Sequence, residues 1–234
     1  MPQIDICPSP VLYPAYHNPN AIVVVVDVFR ATSSMCIAFA NGAKSIIPVE
    51  TVEEARKYKK KGYLVAAERD VVKCDFADFG NSPYDFSAIK VDGNQLIYTT
   101  TNGTRAILAA TGSNEILIGS FLNLSAVAFY CLKKGGDILV LCAGWNGQLN
   151  MEDTLYGGAL ANLVKNCNYE TKSDTVTMAI EIWNRAQPDI RQYVSNSEHV
   201  ARLQATNQGR DIAFCLQQNL VKLIPRYVNG QISC

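Results

Sequence analysis

The run Ala21-Ile-Val-Val-Val-Val26 is apolar at every position and stops at Asp27. A strand with one solvated face alternates apolar and polar residues. A strand without alternation has both faces covered, as at the centre of a parallel sheet flanked by helices. The rest of the sequence keeps that rhythm. Strand-like runs at 22–28, 45–49, 63–67, 95–100, 115–119 and 137–142 alternate with helical segments at 33–40, 52–60, 104–111, 124–133 and 152–165. This is α/β patterning, and it predicts a largely parallel or mixed sheet covered by helices. After Tyr169 come polar helical stretches around 174–184, 197–206 and 210–218, broken at Pro188 and Gly209, which read as a C-terminal helical cap. The expected organisation is a core over residues 1–168 carrying the candidate site, with 169–234 as cap and C-terminal segment of the same domain.

Charge narrows the partners. The 21 basic and 21 acidic residues cancel, so no overall positive field exists to hold nucleic acid or an anionic membrane. The longest apolar run is far short of the roughly 20 residues a bilayer requires, and the N-terminus lacks a basic segment followed by a hydrophobic one, so a cytoplasmic location is expected. Cys7, Cys36, Cys74, Cys131, Cys142, Cys167, Cys215 and Cys234 form no CxxC pair and mostly sit in apolar runs, as small core residues do. With only His17 and His199 to supplement them, zinc is not expected, and carboxylates, hydroxyls and a hard metal become the expected tools.

Four segments carry chemistry. Asp27 and Arg30 lie at the carboxyl end of the central strand, where open α/β sheets bind ligands; a capping or turn-organising role is the alternative for Asp27. Glu68-Arg69-Asp70 ends the strand at 63–67 and leads through Asp75 and Asp78 to Gly80-Asn81-Ser82-Pro83, which equally suits a solvated loop. Thr99-Thr-Thr-Asn-Gly-Thr-Arg105 is the best anion site, since Gly103 permits close backbone approach and the helix N-terminus or Arg105 supplies positive character. It matches neither a Walker loop nor a GxGxxG fingerprint. Glu152 and Asp153 begin a helix after Ala143-Gly144, where capping explains at least one of them. Residues 31–42 and 101–112 share a turn–helix pattern that reads as a weak internal repeat or as ordinary βαβ grammar. Asp27, Glu68 and Asp153 together would place three hard oxygen ligands at three strand ends, a setting suited to Mg2+.

These segments, in this order, resemble the 2-phosphosulfolactate phosphatases: Val26-Asp-Val-Phe-Arg-Ala-Thr-Ser-Ser34, Glu68-Arg69 with Gly80-Asn-Ser-Pro83, Thr99 to Thr104, and Ala143-Gly144 with Glu152-Asp153. The resemblance extends to Ser197, His199, Arg202-Leu203, Gly209 and Asp211, nearly the whole chain. It implies a three-layer α/β/α fold and a Mg2+-dependent hydrolase that releases phosphate from the 2-position of phosphorylated 3-sulfolactate, a step in coenzyme M biosynthesis. The family tends to place glycine on either side of the Glu-Arg pair, where this chain has Ala67 and Asp70.

On this reading Asp27, Glu68 and Asp153 hold Mg2+. Asp27, Arg30 and Arg69 are the catalytic residues, and Asn81, Ser82, Thr101, Asn102, Gly103, Thr104 and, from the cap, Arg202 bind substrate. Asp27 serves either as ligand or as a nucleophile forming an aspartyl-phosphate. The expected partners are a small anionic phosphorylated substrate and a second copy of the chain in a homodimer. The rival readings are a haloacid-dehalogenase-like phosphatase, which lacks its second aspartate because Phe29 stands there, and a non-catalytic module that senses a phosphorylated metabolite.

Overall fold

The computed structural model describes residues Met1–Cys234. Its strands are β1 (Ile4–Cys7), β2 (Ile22–Val26), β3 (Ser45–Pro48), β4 (Leu64–Arg69), β5 (Val72–Lys73), β6 (Gln95–Thr99), β7 (Glu115–Gly119), β8 (Ile138–Cys142), β9 (Arg226–Val228) and β10 (Gln231–Ser233). The helices are α1 (Tyr13–Tyr16), α2 (Ala31–Ala40), α3 (Val52–Lys60), α4 (Ala88–Val91), α5 (Gly103–Ala109), α6 (Leu124–Lys134), α7 (Met151–Val164), α8 (Asp174–Ala186), α9 (Ile190–Val194), α10 (Glu198–Ala205) and α11 (Gly209–Cys215). No helix is long and apolar enough to cross a membrane.

The ten strands form one sheet in the order β1-β8-β2-β7-β9-β10-β3-β6-β4-β5. As its uninterrupted apolar run requires, β2 is buried along its length, between β7 and β8 and parallel to both. A second parallel block, β3-β6-β4, stands apart from the first. Between them lies the hairpin β9–β10, which the C-terminal segment forms after its last helix. The hairpin's two connecting residues, Asn229 (φ +51°) and Gly230 (φ +85°), are left-handed, the signature of a tight two-residue turn. Its three successive antiparallel pairings, β7 with β9, β9 with β10 and β10 with β3, reverse the second block relative to the first. The final residues thus complete the sheet after α8 to α11.

Helices cover both faces. On one, α2 and α5 pack Met35, Phe39 and Ile107 against Val23, Val25 and Ile118. On the other, α6 and α7 pack Val127, Leu155 and Leu160 against Val24, Val26 and Val140. Helix α7 has apolar residues all round because α8 covers its outer side, and Gly158 makes that contact close: any side chain there would run into the backbone carbonyl of Ala179. Helix α2 carries the chain from β2 in the first block to β3 in the second, and α5 carries it back from β6 to β7. The two crossovers meet at their N-termini, which is where the polar residues gather.

Candidate active site

Asp27 leaves β2 and turns the chain into α2. Its carbonyl accepts from the Thr32 amide (3.1 Å) and hydroxyl (2.9 Å), and its Oδ1 faces the Ala31 amide at 3.4 Å. Helix α5 begins against the same carboxylate. A Cβ on Gly103 would lie 2.6 Å from Asp27 Oδ2 and 2.6 Å from the Ala31 methyl, so only glycine lets the two helix N-termini meet here. Two positive helix ends thereby face one carboxylate and the space beside it. Arg105, one turn into α5, is exposed and contributes nothing to that space, and buried Thr104 is occupied in reciprocal hydrogen bonds with Thr100.

Glu68 reaches the site from β4. Its Oε1 accepts from the Val71 amide (2.6 Å) and the Thr101 hydroxyl (3.0 Å), tying the strand to the turn before α5. Arg69 cannot join it. Successive strand residues point to opposite faces, and the Arg69 guanidinium turns to the Glu68 carbonyl, Thr99 Oγ1 and the Glu50 carbonyl, away from the Asp27 cleft. The β4–β5 turn consists of Asp70 (φ +49°) and Val71 (φ +64°), both left-handed. A β-branched residue rarely adopts that conformation, and here it aims the Val71 amide at Glu68 and its carbonyl at Arg30. The left-handed backbone explains why glycine suits position 70; exposed Asp70 is a tolerated substitute.

Arg30 is buried and largely committed. It donates to Asp211 Oδ2 (2.9 Å), to the Gln208 side chain and to the Val71 carbonyl (2.9 Å). Asp211, on the first turn of α11, also accepts from Ser82 Oγ at 2.8 Å, so α11, the β2–α2 turn and the Asn81-Ser82 loop are stitched together. Asn81 Oδ1 accepts from the Tyr98 hydroxyl at 2.6 Å, which leaves its amide hydrogens facing the cleft.

Asp153 sits behind Asp27. Its Oδ1 accepts from the Val28 amide (2.8 Å) and its Oδ2 from Asn150 Nδ2 (2.9 Å) and the Gly144 amide (3.2 Å). It therefore clamps the β2–α2 loop to the β8–α7 loop and does not line the cleft with Asp27 and Glu68. Burial, then the charges of Asp27 and Glu152, hold its carboxyl well above the usual carboxylate range. Neighbouring Glu152 is fully buried and pairs through Oε1 with His199 Nδ1 at 2.6 Å. Arg202 stacks over the Trp145 ring, 4.0 Å from its centroid, in a side cavity of about 280 Å3 that also reaches His199.

The cleft itself measures about 10 Å3, room for a single water or ion. It is lined by Asp27, Arg30, Glu68, Asn81, Thr101, Asn102, Trp145 and His199, among others. Through Arg30 and Asn81 it adjoins a cavity of about 370 Å3 that includes Lys73, Ser82 and Arg210. Burial pushes the Asp27 carboxyl up to about 6, against the attraction of His199 and with the repulsion of Glu68. No three His, Cys, Asp or Glu side chains are grouped closely enough to make a metal cage by themselves. The two cleft-facing carboxylates still fit Mg2+, which keeps several waters and binds through one or two carboxylates and substrate oxygens.

Comparison with known proteins bears on this arrangement. A family model described as 2-phosphosulpholactate phosphatase matches residues 7–230. The chain belongs to the 2-phosphosulfolactate phosphatase family. It is therefore a phosphoric monoester hydrolase. Relatives carrying the name "Probable 2-phosphosulfolactate phosphatase" include one from Thermotoga petrophila, 40% identical over 88% of this chain and 89% of its own. Others are from Clostridium acetobutylicum, 36% identical over 91% and 92%, and Clostridium beijerinckii, 31% identical over 92% of each chain. Seen as a 2-phosphosulfolactate phosphatase family fold, the cleft gathers Asp27, Arg30, Glu68, Asn81, Thr101 and Asn102 from the sequence reading. Ser82 lines the adjoining cavity, Gly103 lies beneath the cleft, and Arg69, Thr104, Asp153 and Arg202 stand outside its lining. The Glu152–His199 pair is the residue set that sequence reasoning leaves unassigned, because Glu152 alone reads as a helix-end carboxylate.

Proposed function

We propose that this chain hydrolyses the phosphate ester of a 2-hydroxy acid, 2-phospho-3-sulfolactate, to 3-sulfolactate and phosphate, with Mg2+ held by Asp27 and Glu68. The observation that carries this reading is the convergence of those two carboxylates, Arg30 and the N-termini of α2 and α5 on one cleft. Mg2+ when bound neutralises phosphoryl oxygens and acidifies water. The chain's own residues orient the ester. Arg30, with Nε–H and one Nη2 hydrogen unused, meets an anionic oxygen from one side, and Asn81 donates through its amide. The α5 end and Asn102 face the transferring group, where preorganised donors stabilise developing charge. The adjoining cavity, with Lys73 and Arg210 in its wall, has space and charge for the acid groups of the substrate. Asp153 serves this site from behind, by fixing the Asp27 loop.

The test is phosphate release from a panel of phosphorylated 2-hydroxy acids, including 2-phospho-3-sulfolactate, with Mg2+ and after chelation. The sulfolactate ester should be turned over fastest, and chelation should abolish release. Absence of release from every ester, or release unaffected by thorough chelation, contradicts the reading.

A further inference from the structure

His199 stands on the first turn of α10, held there by Ser197, whose Oγ accepts from the Val200 amide at 3.2 Å. The residue is 5% exposed, and its ring is packed edge-on to Phe29 and tilted against Trp145, which fixes its plane. The only hydrogen bond of the ring within the protein is the one from Nδ1 to Glu152 Oε1, at 2.6 Å. A buried carboxylate acceptor keeps a proton on Nδ1 and presents Nε2 as the working nitrogen. The second oxygen of Glu152 is buried without a partner, so nothing competes with the imidazole for that carboxylate. His199 shares the cleft with Asp27 and Glu68.

We infer that His199 is the proton donor to the leaving group, with Glu152 as its positioning residue; the inference rests on the phosphatase reading above. Cleavage at the 2-position expels a secondary alkoxide, a strong base that leaves poorly unless it is protonated as the bond breaks. An oxygen of water forms the new bond to phosphorus, and the P–O bond to C2 breaks with its electron pair going to the C2 oxygen. That oxygen takes the Nε2 proton, and the proton lost by the attacking water returns to Nε2. The groups facing His199 are Glu152 from α7, Asp27 and Arg30 from the β2–α2 turn, Glu68 from β4, and Glu198 and Arg202 from its own helix. Of these only Glu152 bonds to it.

His199→Asn tests the assignment. The asparagine amide reproduces the donor at Nδ1, which preserves the bond to Glu152 and the fold, and offers nothing at Nε2. Phosphate release is compared for 2-phospho-3-sulfolactate and for p-nitrophenyl phosphate, whose phenolate leaves without a proton. The variant should lose roughly 10²–10⁴-fold in kcat on the alkyl ester and retain aryl-ester turnover within a few-fold. Glu152→Gln should show the same split at smaller size. Equal loss on both esters, or no loss on either, overturns the assignment while leaving the phosphatase reading in place. Failure of the unaltered chain on both esters overturns the two together.

Discussion

The amide of Val71 donates to Glu68 Oε1 at 2.6 Å from a left-handed backbone, and the Thr101 hydroxyl donates to the same oxygen at 3.0 Å. One carboxylate is thus aimed by two different chain segments before any ligand arrives. Thr101→Val keeps the shape and removes one of the two donors. Apparent Mg2+ affinity, read from the Mg2+ dependence of phosphate release, should weaken roughly 10–100-fold. An unchanged Mg2+ titration would detach Glu68 from the metal.

Arg30 and Asp211 form a buried ion pair, 2% and 1% exposed. Removing one partner leaves the other charge buried and alone, which costs about 3–5 kcal/mol. Arg30→Ala should therefore lower stability in urea denaturation as well as weaken substrate binding. A variant as stable as the parent would show that Asp211 finds another partner or becomes protonated without cost.

The cysteines set an alkaline limit. Burial pushes the Cys7 thiol up to about 11 and Cys131 up to about 12, above the ordinary value of 9.0, and raises Cys36, Cys142 and Cys215 as well. Folded-state values above the unfolded ones mean stability is full below the unfolded value and is lost as pH rises through the folded ones. The cysteines' contribution to the denaturation free energy should hold steady to about pH 8.5 and then fall. Iodoacetamide at neutral pH should reach exposed Cys167 without loss of phosphate release, whereas inactivation prevented by substrate would place a thiol in the site.

The legible parts of this molecule are those set by local chemistry. The run ending at Asp27 announces a central strand because both faces must be apolar, and α3 keeps its bounds because Thr51 caps it at the Glu54 amide and lysines close its last turn. The C-terminal hairpin is absent from the sequence reading although Asn229-Gly230 is a tight-turn pair, and its place between two parallel blocks needed the fold. Strand alternation decides between Glu68 and Arg69 once the strand is known to extend to Arg69. Two facts needed the fold. Asp153 and Asp27 both end up among strand termini, but only the packing of the Val28 and Gly144 amides shows Asp153 in a clamping role. Glu152 and His199 are far apart in sequence and meet only because the first turn of α10 comes beside the start of α7 and the Trp145 loop.

Asp27→Asn addresses the site as a whole, since it retains the Ala31 contact and the fit against Gly103 while removing the charge that faces the cleft. The decisive measurement is its Mg2+-dependent kcat for phosphate release from 2-phospho-3-sulfolactate, with the fold checked by circular dichroism. A loss of about a thousandfold or more is expected, which corresponds to roughly 4 kcal/mol of transition-state stabilisation. Turnover near the rate of the unaltered chain, with the fold intact, would contradict it and leave Asp27 as the residue that merely turns the chain into α2.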